Sequence, residues 1–179
     1  MPEHSTPLAS VFSGWDRHNP SLVSAVGPLT KAQLAFRPNP NLRSAGEIAA
    51  HISLGRIDWF KRMDPPLSRE LAAKAPAERS KSLTEHAPSL VEWLNSSWSM
   101  IASTLDQWTV SSLAKTYPQP FQGKTYAASY QWTIWRVMAH DIHHGGELAV
   151  TLGIQGISIP ELGDLGGHIT LPPLANAPL

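Results

Sequence analysis

Three of the chain's eight histidines fall within five residues, in the segment His140-Asp141-Ile142-His143-His144. On a helix, residues four apart lie on one face with their Cβ atoms about 5–6 Å apart. His140 and His144 can therefore reach one ion, with metal–nitrogen bonds near ~2.0–2.1 Å. His143 is roughly 100° around the helix from His144, which makes it the poorer ligand. A third imidazole is available at His51, in the middle of a second helical stretch. Three neutral imidazoles from two helices leave one or two positions open on the ion, the arrangement of catalytic rather than structural zinc. Histidines packed into a core without a metal are the competing interpretation of the same residues.

Other side chains near these positions have candidate roles. Glu147, three residues after His144, can orient an imidazole, accept a proton, join the ion as a fourth ligand, or simply face solvent. Glu47 and Asp58 are possible imidazole partners on the helix of His51. Arg136 lies one turn before His140, where a cation near a metal needs a counter-anion or must point away, or can instead hold an anionic substrate. Gly145-Gly146 costs a helix about 1 kcal/mol per glycine relative to alanine. Close approach of another backbone, or a local helix irregularity, would explain it. His4, His18, His86 and His168 fall in ends, loops or tail and read as surface residues.

Four stretches of helical periodicity must position these groups. The first covers about 8–26, with a kink or restart expected near Asn19 because of Pro20. The second covers about 44–62 and opens on Ser44-Ala45-Gly46-Glu47, a capping box in which hydroxyl and carboxylate each satisfy a free backbone N–H. The third covers about 83–105. Ser82 to Glu85 offers it another box, but Pro88 lies close behind, so this helix is either kinked or begins nearer Ala87. The fourth covers about 128–152, is apolar on more than one face, and meets a stop at Gly153. Strand signals are weak: Thr109-Val110 could pair with Lys124-Thr125-Tyr126. Residues 154–179 read as an irregular tail. Four helices with little else predict an all-α, four-helix bundle in one domain spanning 1–179. The connections at 63–82 and 106–127 are too long for simple up-and-down turns, so at least one crossover is expected.

Composition narrows the class. Lys+Arg and Asp+Glu number 14 each, so the formal charge is zero and no nucleic acid is expected as a partner. There is no cysteine, which removes disulfides, thiolate metal sites and cysteine nucleophiles together. No apolar run approaches the ~18–20 residues that cross a bilayer. MPEHSTPLAS has no basic segment followed by an apolar core, so no secretory signal is expected there. A cytoplasmic protein with no membrane partner is the expectation.

Two stretches resemble the DinB-like family (DinB/YfiT-type metalloenzymes). One is LTKAQLAFRPNPNLRSAGEIAAHISLGRIDWF, residues 29–60, with its single histidine after the helix entry. The other is WRVMAHDIHHGGELAVTLGIQG, residues 135–156. The resemblance implies an up-down-down-up bundle with long crossover connections and a divalent metal on His51, His140 and His144. It implies zinc or nickel as the ion, frequent homodimers, and a low-molecular-weight thiol as a possible cofactor.

The expected function is that of a metal-dependent enzyme, in which the ion activates water for hydrolysis or a thiol for transfer. Glu147 is the candidate for proton transfer or ligand orientation. The alternative is a bundle that binds metal or a small molecule without catalysis and serves as a dimeric interaction module. Substrate, native metal, thiol identity and dimer interface are not legible in the sequence.

Overall fold

The computed structural model describes residues 6–159 and Leu162. Its elements run α1 (Leu8–Val11), α2 (His18–Val26), α3 (Lys31–Ala35), α4 (Ala45–Phe60), α5 (Ser68–Lys74), α6 (Lys81–Thr84), α7 (Ala87–Gln107), β1 (Thr116–Phe121), β2 (Lys124–Ser129) and α8 (Tyr130–Ile154). The chain is mostly helical, as expected, with one two-stranded sheet among the described residues.

Local chemistry explains the boundaries. The capping box opens α4 as the sequence predicts: Ser44 accepts from the Glu47 amide, and Glu47 accepts from the Ser44 amide. The first expected helix is divided. It breaks ahead of Trp15, where Gly14 takes φ 99°, and resumes as α2 at His18. Pro20 is no kink, because it occupies the first turn of α2, where the missing N–H has no helical partner to lose. The box at Ser82–Glu85 does not form; residues 81–84 make the separate short α6. The long helix begins at Ala87, with His86 as its cap and Pro88 in its first turn. The last helix runs past Gly153. Its stop is Gly156, at φ 76°, with Ile157 N–H on Leu152 O and Gly156 N–H on Gly153 O. The expected tail lies outside the described residues from 160 onward, Leu162 excepted.

The core is organised around α4, which packs against both α7 and α8, while α2 packs on α7. Two apolar clusters divide it. Ile48, Ile52, Leu90, Leu94, Leu148 and Leu152 belong to one, and Ile57, Phe60, Met100, Ile101, Ile134 and Val137 to the other. Gly46 admits α6 against the first turn of α4, since a Cβ there would stand 1.8 Å from the Thr84 carbonyl oxygen. Side-chain contacts fix the helix directions. Gly55 lies against His140, Trp59 against Trp132 and Arg136, and Tyr130 reaches Met63, so α4 and α8 are antiparallel. Arg56 reaches Leu94 and Ser97 of α7, and Thr84 of α6, just ahead of α7, meets Gly46 at the start of α4, so α4 and α7 run in the same direction.

The hairpin differs from expectation. Its strands are 116–121 and 124–129, closed by Gln122-Gly123, both at positive φ. Thr109 instead bridges Pro7. Pro118 and Pro120 hid β1, because proline removes a ladder donor. In a two-stranded ribbon the two prolines, spaced by two, turn their missing donors to the same free edge. Ser129 at the end of β2 then caps α8 through the Trp132 amide, so the hairpin feeds directly into the helix carrying the histidine pair.

Candidate metal centre

The antiparallel seam of α4 and α8 brings His51, His140 and His144 together. One ring nitrogen from each lies within 4.8 Å of the others. His51 Nε2 and His140 Nε2 face each other at 3.1 Å. The ring centroids are 4.5–4.8 Å apart. Gly55 makes room for this: a Cβ there would stand 2.8 Å from His140 Cε1. His143 is exposed and outside the group, in edge contact with the His144 ring.

Carboxylates fix two of the rings. His144 Nδ1–H donates to Glu147 Oε2 at 2.6 Å, and His51 Nδ1–H donates to Glu78 Oε1 at 3.0 Å. An ionised carboxylate only accepts, so each of these rings carries its proton on Nδ1 and its lone pair on Nε2. This is the outer arrangement of a histidine metal site. A tetrahedral ion with bonds near ~2.0–2.1 Å places its nitrogens about 3.3 Å apart, close to the spacing of the facing pair. The three residues therefore fit a divalent ion with nitrogen ligands.

Electrostatics agree with that fit. Burial pushes the His144 imidazole down to about 4, with the charges of His140 and His51 adding to it against the bond to Glu147. Burial also lowers His51, helped by Arg43 and His140 and opposed by Glu78. Neutral imidazole is the form that binds metal.

The expected partners of His51 are employed elsewhere. Glu47 pairs with Arg37, whose hydrogen bond holds its carboxyl below the usual range, and Asp58 pairs with Lys61 and Arg62. Glu78, from the loop between α5 and α6, takes that place, and nothing in its sequence spacing marks it. Arg136 lies over Trp59, 4.3 Å from the ring centre.

Beneath the cluster lies a network that the sequence reading missed. Arg56 and Asp141 are fully buried and paired at 2.9 Å. Trp15 Nε1 donates to Asp141 Oδ2, and Arg56 also donates to Asn19 Oδ1 and to the Leu94 carbonyl. Burial pushes the Asp141 carboxyl up, but the Arg56 charge and the hydrogen bonds to it prevail and hold it below its ordinary value. His18 is also buried rather than on the surface, with Nε2 bonded to the Asp141 carbonyl at 2.9 Å. It explains Gly145, whose Cβ would stand 2.6 Å from His18 Cε1; a side chain approaches there, not a backbone. Gly146 faces open space. The available signal was a charged residue at the centre of each apolar helix, Arg56 and Asp141. His86 is exposed as expected, and His4 and His168 lie outside the described residues.

Comparison with known proteins adds the family. The model of the DinB superfamily matches residues 15–148, a span that includes all three imidazoles. A crystal structure of a DinB-like protein from Bacillus cereus ATCC 10987 is similar in fold, with a TM-score of 0.60 at 18% identity, over 82% of this chain and 91% of that one. No curated protein matches the chain.

Proposed function

The chain belongs to the DinB superfamily, and on that premise we propose that it is a metal-dependent enzyme with its ion on His51, His140 and His144. The observation that carries this is the convergence of three ring nitrogens within 4.8 Å, with two of the rings locked by carboxylates. A bound divalent ion, zinc or nickel, supplies Lewis-acid activation of water or of a thiol substrate. Glu78 and Glu147 hold His51 and His144 in the ligating tautomer. The 2.6 Å bond of Glu147 supports orientation as its first role, and its partial exposure leaves it able to take a proton from solvent-side chemistry.

The reaction is hydrolysis or transfer of a low-molecular-weight thiol. A hydrolase turns over with water alone, and a transferase only when the thiol is added. The scaffold is a four-helix bundle of α2, α4, α7 and α8 in up-down-down-up order, supported by the antiparallel and parallel contacts above. A homodimer is supported by the outer face of α8, where Trp135, Ile142, Val150 and Ile154 are exposed. The deciding experiment is elemental analysis of protein purified without chelator or affinity tag, beside His51→Ala, His140→Ala and His144→Ala. One equivalent of a transition metal is expected, lost in each variant. A metal-free protein that takes up none on titration would overturn the proposal.

A further inference from the structure

One to two turns along the same seam, on the side where α8 begins, lies a cavity of about 730 Å³. Trp59 and Arg62 of α4, Trp132 and Arg136 of α8, and one face of the hairpin enclose it. Gln119 pairs with Tyr126 across the sheet, and the period of two places Phe121 and Ala128 on that same face. The lining is mostly aromatic and apolar, and no carboxylate among the described residues belongs to it.

The two guanidinium groups are not equivalent. Arg62 is committed: it donates to Asp58 Oδ2 and to Gln119 Oε1, and stacks 4.0 Å from the Trp59 ring centre. Arg136 has no hydrogen bond or ion pair among the described residues. Its contacts are ring faces, Trp59 at 4.3 Å and Trp132 at 5.4 Å. Stacking occupies the plane of a guanidinium and leaves its N–H edge free, and that edge matches a carboxylate in a two-point contact. One uncommitted positive charge calls for one negative charge. Exposed Trp132, Phe121 and Tyr126 supply flat apolar surface for whatever carries it.

We propose that this cavity binds a monoanionic carboxylate borne on a flat, apolar body, with the carboxylate on Arg136 and the body among Trp132, Phe121 and Tyr126. Arg136 lies one turn from His140, so the same ligand names the substrate class of the metal centre; that last step alone rests on the function proposed above.

The test is equilibrium binding to the full chain, read by calorimetry and tryptophan fluorescence, with 1-naphthoate and its neutral counterpart 1-naphthylmethanol as probes. Naphthoate is expected to bind at least tenfold more tightly. Arg136→Gln is expected to abolish that preference while leaving the alcohol's affinity unchanged. Arg136→Lys, which keeps the charge but not the planar edge, is expected to restore part of it. His140→Ala and chelated wild-type protein are expected to bind naphthoate as the untreated protein does. Equal affinity for the two probes, or a preference that survives Arg136→Gln, would overturn the proposal. So would loss of naphthoate binding in His140→Ala, since the carboxylate would then be on the metal. Metal content measured on the same samples separates a failure of the metal centre from a failure of the cavity.

Discussion

The seam between α4 and α8 holds two polar clusters almost side by side, and they are built on opposite principles. Arg56 and Asp141 are fully buried, opposite in charge, and surrounded by Trp15, Asn19 and the Leu94 carbonyl. His51 and His140 are partly open, His144 is buried, and the three direct ring nitrogens at one another. The first cluster balances its own charge, although Asp141 Oδ1 and Arg56 Nη2 are buried without a hydrogen-bond partner among the described residues. The second brings three imidazoles together with the carboxylates of Glu78 and Glu147 behind two of them, an arrangement that a cation completes. Charge balance thus separates a pin from a site, although both draw on α4 and α8 and His140 and Asp141 are neighbours in the chain.

The largest predicted effect is on the pin. Arg56→Met leaves a buried carboxylate without its counter-charge, which costs about 3–5 kcal/mol. Adding Asp141→Asn removes the orphaned charge and keeps an acceptor for Trp15, so the double variant should be more stable than Arg56→Met alone. Urea unfolding of the three proteins checks this. A single-variant loss under about 1 kcal/mol would mean that balance of charge is not what stabilises the network.

The site should respond in metal affinity rather than stability. Glu147→Gln removes the charge behind His144 and is expected to weaken metal binding about 10- to 100-fold with unchanged unfolding of the chelated protein. Competition against a chromophoric chelator measures it. Unchanged affinity would reassign Glu147 to solvent.

How far the sequence reveals each cluster follows from the same contrast. The imidazoles were legible because their spacing sits within single helices: His140 and His144 four apart, His51 after a readable capping box. The carboxylate behind His144 was legible for the same reason, three residues on. Glu78 was not, because it approaches His51 from a loop 27 positions away and only tertiary packing brings it there. Arg56, Asp141 and His18 were passed over because each is a lone polar residue whose partner lies on another helix. The helices themselves were legible from periodicity, but β1 was not, since its prolines argue against a strand until it is seen to have a free edge.

Acid should strip stability from the two clusters in different windows. In the chelated protein His144 titrates at about 4, against an ordinary value near 6.5 in the unfolded chain. Between these values the unfolded state binds the extra proton, so stability falls as pH drops from about 6.5 to 4 and levels off below. His51 is shifted in the same direction. Asp141 is also lowered, and its contribution is present above the ordinary carboxylate value and lost as pH falls beneath it. His144→Gln should flatten the upper window by on the order of 1–2 kcal/mol between pH 7 and 4.5 and leave the lower one in place. Denaturation series across pH on the wild type and this variant would show it; identical slopes would place the titration elsewhere.

The smallest effects concern the glycines that give each cluster room. Alanine in a helix gains up to about 1 kcal/mol over glycine, and Gly146, with open space around it, should realise that gain. At Gly55 and Gly145 the same methyl meets an imidazole, but the two rings differ in what holds them. His18 is buried and bonded to the Asp141 carbonyl, so the ring facing Gly145 has no room to move. Gly145→Ala should therefore forfeit the helix gain and show a net stability loss of about 1 kcal/mol. His140 is partly open, and the ring can yield to Gly55→Ala. That variant should unfold like the wild type yet bind metal more weakly, because the displaced nitrogen no longer meets its two partners. Measuring unfolding and metal affinity on all three variants separates the clusters by readout. A Gly55→Ala protein that lost stability but kept its metal affinity would mean that the imidazoles pack the seam rather than serve an ion.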